Sequence, residues 1–435
     1  MRKLVGLVFC AVGLFAAENN SVLIRNVTVH PVTGPVVENG SVLVVDGKIE
    51  EVGHRTSARA GVRVVDGKGM QLYPGMINAA TNVGLSEIEA IRDSVDLDEI
   101  GEFNPQLRAE IAFNPSSEHI PVVRAAGITS VITLPSDGSR GGRSGTGSVI
   151  TGQGALMHLD GWTWEEMAVR PMAVMEMLFP EIRAAGRNPF AAAQGGAGAR
   201  TFQEEERQYH AELSHISDFL EDVRRYKKAK DAKGPGFERD LKLEAMLGVI
   251  NGTEPLFVRA ERERMIKDAI AFSDKEKVKI IIADPREMGG MGPELKKRDI
   301  PVVLGKVLAL PEHEDDAYDE PYTLPAEFYK AGVKFCFGTF DVEFARNVPF
   351  EAAQAAAFGL PKEEALKAVT INSAEILGVG SQIGSIEKGK MADLILTDGD
   401  PLEARTNIKG MFIAGKEVSL ESRHTREYEK WLKRP

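Results

Sequence analysis

Residues 255 to 337 repeat a single step. "PLFVRA" is a short apolar run, "ERERMIKDAIAFSDKEK" has the spacing of a helix, and "VKIIIAD" is apolar again. "MGPELKKRD", "IPVVLG", "PAEFYKAG" and "VKFCFG" continue the alternation. Strands that read as near-continuous apolar runs, separated by helices, predict a parallel sheet with helices on its outside. Upstream, "PVVRAAG" ends a helix at Gly127 and "ITSVITLP" begins another buried strand. Enough such units fit between about Pro74 and Leu377 to close a (β/α)8 barrel.

The two ends have a different texture. "VLVVDGKIEEVG" and "VRVVDGKGMQLY" place Asp46-Gly47 and Asp66-Gly67 between short strands, and Asp-Gly suits the left-handed positions of a tight hairpin. "GSIEKGKMADLILTDGDPLE" and "IKGMFIAGKEV" return to strand, turn and strand. The expected organisation is a leader over 1–17, a β-sandwich built from 18–73 and 381–420, a barrel over 74–380, and a tail over 421–435. A helical insertion at about 183–249 interrupts the barrel. Its helix opens with Thr201 and Glu204 in capping-box spacing, and Tyr209, Leu213, Ile216, Leu220 and Val223 recur at threes and fours. The Gly- and Ala-rich 191–199 reads as its flexible lead-in.

Met1-Arg2-Lys3, the apolar run Leu4 to Phe15 and Ala16-Ala17 have the three-part pattern of a secretory signal peptide, which predicts an exported, periplasmic or secreted protein. A lipid anchor on Cys10 is the other reading, disfavoured by the bulk of Phe9. Of the two cysteines only Cys336 would remain in a mature chain, so no internal disulfide forms, and Cys336 reads as a small buried hydrophobe. A composition of 43% hydrophobic and 27% charged residues is that of a folded soluble protein. The net charge of −11 argues against a nucleic-acid partner and, taken over the whole chain, does not suit an anionic membrane.

Three stretches carry a family resemblance. "LIRNVTVHPVTGPVVENGSVLVVDGKIEEVG" with "VVDGKGMQLYPGMINAATNVG", then "NVPFEAAQAAAFGLPKEEALKAVTINSAEILGV", then "GSIEKGKMADLILTDGDPL" resemble the amidohydrolase superfamily, in particular its imidazolonepropionase-like branch. The resemblance implies a distorted (β/α)8 TIM barrel with a small β-sandwich formed from both termini. It also implies hydrolysis of C–N or related bonds by a hydroxide bound to one or two divalent metals. Such a metal is held by a His-x-His pair on the first barrel strand, in some members a carboxylated lysine on the fourth, histidines on the fifth and sixth, and an aspartate on the eighth.

This chain departs from that set position by position. The acid before the His-x-His pair corresponds to Asn78, and the two histidines correspond to Ala80 and Asn82. The fifth strand ends at Arg259, and the sixth ends in Asp284 and Arg286. "VRPMAVMEMLFPE" has no lysine, and the eighth strand keeps Asp341. Alanine has no donor atom, a neutral amide is a poor Zn²⁺ ligand, and a guanidinium cannot ligate. Facing a divalent ion at 4 Å, an arginine would cost on the order of 8 kcal/mol at an effective dielectric of 20. Arg259 is therefore expected to pair with Asp284 or Asp341 in place of the missing cation. None of the eight histidines reads as a ligand at a barrel-strand end.

Other motifs are weaker. The Gly-rich 136–154 lacks a P-loop lysine and reads as a long loop, and the acidic stretches around Asp98 and Asp315 lack EF-hand spacing. Asp341 is the candidate catalytic acid, with Asn78, Asn82, Arg259, Asp284 and Arg286 as candidate binding residues and no metal or other cofactor. The expected role is that of a metal-free, weak or inactive amidohydrolase relative acting in binding or as an accessory. A small-molecule ligand, a homo-oligomer and a complex with an active paralogue all stay open. The alternative is an active, metal-dependent amidohydrolase with an atypical site, using Asp341 as base with loop carboxylates or His158 brought to a metal.

Overall fold

The computed structural model describes residues 20–54, 56–57, 59, 61–136, 147–182, 201–232, 234, 236–311 and 316–434. The leader with Cys10, residues 137–146 of the Gly-rich loop, the lead-in 191–199, and His313 and Asp315 lie outside them.

Five strands come first: β1 (Val22–Val29), β2 (Val37–Val45), β3 (Lys48–Gly53), β4 (Arg63–Asp66) and β5 (Gln71–Pro74). Between β2 and β3 the chain reverses at Asp46 and Gly47, whose φ values of 49° and 79° are those a two-residue hairpin demands. Asp66-Gly67 does not make a second hairpin. Instead β4 and β5 both run parallel to β1, β4 along its first half and β5 along its end. The residues between them step the chain along one edge, and the Asp66 carboxylate fixes that step by accepting from Asn26 Nδ2 at 2.9 Å and the Lys68 amide at 3.2 Å.

The barrel strands are β6 (Met76–Thr81), β7 (Ile128–Thr133), β8 (Ile150–His158), β9 (Ala168–Leu178), β10 (Leu256–Arg259), β11 (Ile280–Ala283), β12 (Val302–Leu304) and β13 (Phe335–Phe337). They form one sheet in sequence order. The seam between the two edges is bridged by the Thr339 and Phe340 amides, which both donate to the Ala80 carbonyl at 2.8 Å. Thr81 Oγ1 adds a bond to the Asp341 carbonyl at 2.5 Å. Neighbours are parallel except at β8, which is antiparallel to β7 and β9. This differs from the all-parallel expectation, which left Ile150 to Gly154 in a loop. An antiparallel neighbour needs no crossover helix, so β8 breaks the strand–helix alternation on which that reading rested.

The longer helices are α1 (His119–Ala125), α2 (Phe202–Ala232), α3 (Glu263–Glu276), α4 (Gly292–Lys297), α5 (Glu320–Lys330), α6 (Val348–Ala357), α7 (Lys362–Ala368), α8 (Ile371–Ile376) and α9 (Arg423–Leu432). Alternate strand residues face two cores. Ile77, Ala80, Phe257, Ile281, Val303 and Cys336 fill the barrel, while Met76, Val258, Ile282 and Val302 meet Ile266, Leu324 and Ala352 from the helices outside. Helix α2 docks on that outer core through Tyr209, Ile216, Leu220 and Val223. Its capping box is present, with Glu204 Oε2 accepting the Thr201 amide at 2.7 Å and Thr201 Oγ1 accepting the Glu204 amide at 3.3 Å.

After the barrel, β14 (Leu394–Thr397), β15 (Ile408–Ile413) and β16 (Lys416–Glu417) join the first sheet, with β14 antiparallel to β5. Both termini thus supply one eight-stranded sheet with its own core of Ile24, Val42, Leu72, Leu394 and Phe412.

Candidate functional site

In a barrel, side chains at the C-terminal strand ends converge on the axis. Here that end carries charge on five consecutive strands. Glu176 lies near the end of β9 and Arg259 ends β10, while Asp284 and Arg286 follow β11, Lys306 follows β12 and Asp341 follows β13. The Arg259 guanidinium lies 3.2 Å from Asp284 Oδ2 and 4.0 Å from Glu176 Oε1, and Arg286 lies 3.3 Å from the same Asp284 oxygen. Lys306 Nζ meets Asp341 Oδ2 at 2.8 Å. Three carboxylates therefore face three cations within these six side chains. Burial opposes the charge on Arg259, but Asp284 and Glu176 more than offset it, and the guanidinium is held above its ordinary pKa.

Glu176 is almost fully buried and also accepts from Thr151 Oγ1 at 2.9 Å, across from β8. Asp284 sits at a φ of 55°, a turn that aims its carboxylate across the mouth. Gly305 makes room for it: a Cβ there would lie 1.7 Å from Asp284 Oδ1. That Oδ1 is buried without a hydrogen-bond partner.

Beneath the charges lies Phe340, at a φ of 55° that costs a bulky residue on the order of 1–3 kcal/mol. Its ring packs in the barrel-filling core with Ala80, Phe257, Ala283 and Cys336, and the Arg259 guanidinium lies 4.8 Å above its centroid. The contact is a cation–π interaction. Arginine over phenylalanine thus ends the fifth barrel strand, where the resemblance implies a histidine ligand.

Asn78 and Asn82 hold backbone. Asn78 Nδ2 donates to Thr339 Oγ1 at 2.9 Å and to the Ala345 carbonyl at 3.2 Å, and its Oδ1 accepts the Ala80 and Thr339 amides, both at 3.2 Å. Asn82 Nδ2 donates to the Leu134 carbonyl at 2.7 Å. The two asparagines therefore tie β6 to its neighbours on either side. Asp341 is engaged at both oxygens, since Oδ1 accepts the Phe344 amide at 2.9 Å while Oδ2 holds Lys306. Of the residues singled out from sequence, Arg259, Asp284 and Arg286 meet in one cluster, and Asp341 belongs to a separate pair.

These residues do not fit a divalent metal. Ala80 offers no donor, the Asn78 amide is committed to the seam, and Asn82 Nδ2 is committed to the Leu134 carbonyl beyond β7. A Cβ on Gly338 would lie 2.7 Å from the Ala80 Cβ, so the strands at that point are too close for a larger side chain without movement. The free Asp284 Oδ1 is one oxygen on a carboxylate already claimed by two guanidinium groups. Among the described residues no three His, Cys, Asp or Glu side chains converge as a metal site. His158 ends β8 at the opposite end of the barrel, opposite Ser130 near the start of β7, and pairs with Asp393 at 3.0 Å. Cys336 is fully buried, and burial pushes its thiol up to about 12.

An open cleft lies beside the charged cluster, between the ends of β11 and β12 and helix α5. Arg286, Lys306, Val307, Leu310, Pro321 and Leu324 line it. Its Val307–Leu310 wall is held from behind by Glu351 on α6, whose carboxylate accepts the Leu308 amide at 2.6 Å. Burial raises the Glu351 carboxyl to about 7.

Glu176, Lys306 and Phe340 escaped the sequence reading. A lone carboxylate inside the apolar run "MAVMEMLF" was the available signal, because a buried charge demands a partner.

The Amidohydrolase family model matches residues 324–418. The protein named Amidohydrolase tasK from Hapsidospora irregularis is 23% identical over 383 residues, which are 84% of this chain and 38% of that protein. Imidazolonepropionase from Sphingopyxis alaskensis is 53% identical over 47 residues, 11% of this chain and 12% of that one. The chain thus spans well under two thirds of these relatives. The crystal structure of an amidohydrolase from Thermotoga maritima superposes with a TM-score of 0.77 at 28% identity, covering 92% of this chain and 99% of that one.

Proposed function

The chain belongs to the amidohydrolase superfamily, and from that premise we propose that it works without a metal, its barrel mouth serving a binding or accessory role and not hydrolysis. The observation that carries this reading is Arg259, held between Glu176 and Asp284 over the Phe340 ring. Hydrolysis in this superfamily needs a bound ion to generate hydroxide near neutral pH. Here the resident cation is a side chain that cannot ligate water's oxygen or lower its pKa through coordination.

Among the described residues no remaining group replaces that chemistry. Asp341 would be the base, but Lys306 and the Phe344 amide occupy its oxygens. His158, the other candidate partner, lies at the far end of the barrel and is committed to Asp393. The cleft bounded by Arg286, Lys306 and the Val307–Leu310 wall is the place for a small-molecule ligand. The N-terminal pattern of Met1 to Ala17 supports export, and an active paralogue is the partner that an accessory role implies.

The test is turnover of cyclic amides, dipeptides and lactones by the wild-type chain and by Asp341→Asn, each with and without added Zn²⁺. Both proteins are expected to hydrolyse these compounds at the buffer rate. Turnover by wild type that is lost in Asp341→Asn would refute the reading.

A further inference from the structure

The chain's last helix, α9, barely touches the body of the protein. None of its residues is buried, and Tyr428, Trp431 and Leu432 are 66%, 59% and 65% exposed. At spacings of three and four these share one face of the helix. Arg423, Arg426, Lys430, Lys433 and Arg434 recur at the same spacings on the opposite side. Residues 423–434 carry these five cations against the two acids Glu427 and Glu429, a local positive excess on a chain whose net charge is −11, and among the described residues only Arg426 reaches further carboxylates, Glu118 at 3.8 Å and Glu421 at 3.5 Å.

We propose that α9 is a membrane-surface helix, which lays its Tyr428–Trp431–Leu432 face into the headgroup region of an anionic bilayer. A short helix with lysine and arginine on one side and aromatic and aliphatic residues on the other has the physical signature of one that lies in the interfacial plane. Tryptophan and tyrosine suit that depth, because the ring is apolar and the polar tip stays wet. The Trp431 ring already has Lys430 Nζ at 5.6 Å and the Arg434 guanidinium at 6.0 Å from its centroid, which brings cations to the anchor. With ten residues the helix is too short to span.

A second observation lies at the same end of the barrel. Trp162, on the turn after β8, is 85% exposed. It lines one hollow together with Lys416 and Arg426, the latter from α9. Two of the chain's three tryptophans are therefore left in water at one end of the barrel, where Glu118 and Asp160 pair with the cations of the hollow. The charge of the whole chain disfavours an anionic surface, but the local excess over residues 423–434 favours it. Orientation follows: the mouth, at the other end of the barrel, would face away from the lipid.

Co-sedimentation of the full chain with vesicles tests the proposal, using phosphatidylcholine alone and phosphatidylcholine mixed with phosphatidylglycerol. The expected result is binding to the mixed vesicles, weakened by salt, with a blue shift of tryptophan emission. The triple variant Tyr428→Ala/Trp431→Ala/Leu432→Ala is expected to partition at least about tenfold less while melting at the wild-type temperature, since the face packs on nothing. Equal binding by the triple variant, or no binding to the mixed vesicles at low salt, would overturn the proposal. So would a dimer in solution that the triple variant dissolves, since a second copy would then cover the face.

Discussion

Arg259 stands where a neutral imidazole would serve as a ligand in a metal-binding relative, and the exchange reverses what its surroundings must supply. A metal site gathers neutral or anionic donors around a cation, whereas an arginine brings its own charge and needs carboxylates. Glu176 and Asp284 provide them, with exposures of 1% and 4% for their side chains. Arg259→Met keeps most of the volume and removes the charge, leaving two buried carboxylates without their shared partner. Breaking a buried pair in this way costs about 3–5 kcal/mol. Urea unfolding at pH 7 is expected to show a loss of that size. A loss no larger than that of a surface pair, about 1 kcal/mol or less, would contradict this role. Arg259, Asp284 and Arg286 were legible because each ends or follows a strand of clear apolar pattern. Lys306 was not, because it lies two residues past β12 and nothing local distinguishes it from a solvated lysine.

Helix α6 and the segment after β12 form one device through Glu351. Its carboxylate accepts the Leu308 amide and so fixes the wall of the cleft, yet burial holds the group at about 7, above the ordinary 4.5. Asp341 pushes it further up, and Lys306 and the backbone amides of Leu308 and Val307 pull it down. A carboxyl whose folded pKa exceeds its unfolded value binds its proton more tightly when folded. Its favourable contribution is complete below about 4.5 and is lost as pH rises toward about 7. Glu351→Gln removes that titration. Between those limits the wild-type chain is expected to lose about 3 kcal/mol relative to the variant, read from denaturation curves at a series of pH values. Parallel stability profiles for the two proteins would contradict it. At this scale the sequence hid β8: Gly152 and Gly154 interrupt it, and a run with two glycines reads as loop before it reads as strand.

Across the whole molecule, what was legible was what is periodic. The apolar runs ending at Arg259, Ala283, Leu304 and Phe337 announced barrel strands, and Asp46-Gly47 announced its hairpin. Asp66-Gly67 carries the same dipeptide but serves a step between two strands parallel to β1, a difference fixed by the distant Asn26 and not by the turn itself. The contents of the mouth were harder. Which carboxylate pairs with which cation depends on strand order around a closed sheet, and Phe340 fills the axis only because its backbone takes a left-handed turn. The resulting picture is a barrel whose Asn78 and Ala80 have become parts of the seam and whose mouth holds Arg259 between Glu176 and Asp284.

That picture is tested most directly by elemental analysis of the full chain, purified without chelator, exposed to excess Zn²⁺ and then passed through gel filtration. The expected result is transition metal at the level of the buffer blank. One equivalent of zinc, manganese or iron carried through the column, and lost on mutation of Asp284 or Asp341, would contradict it.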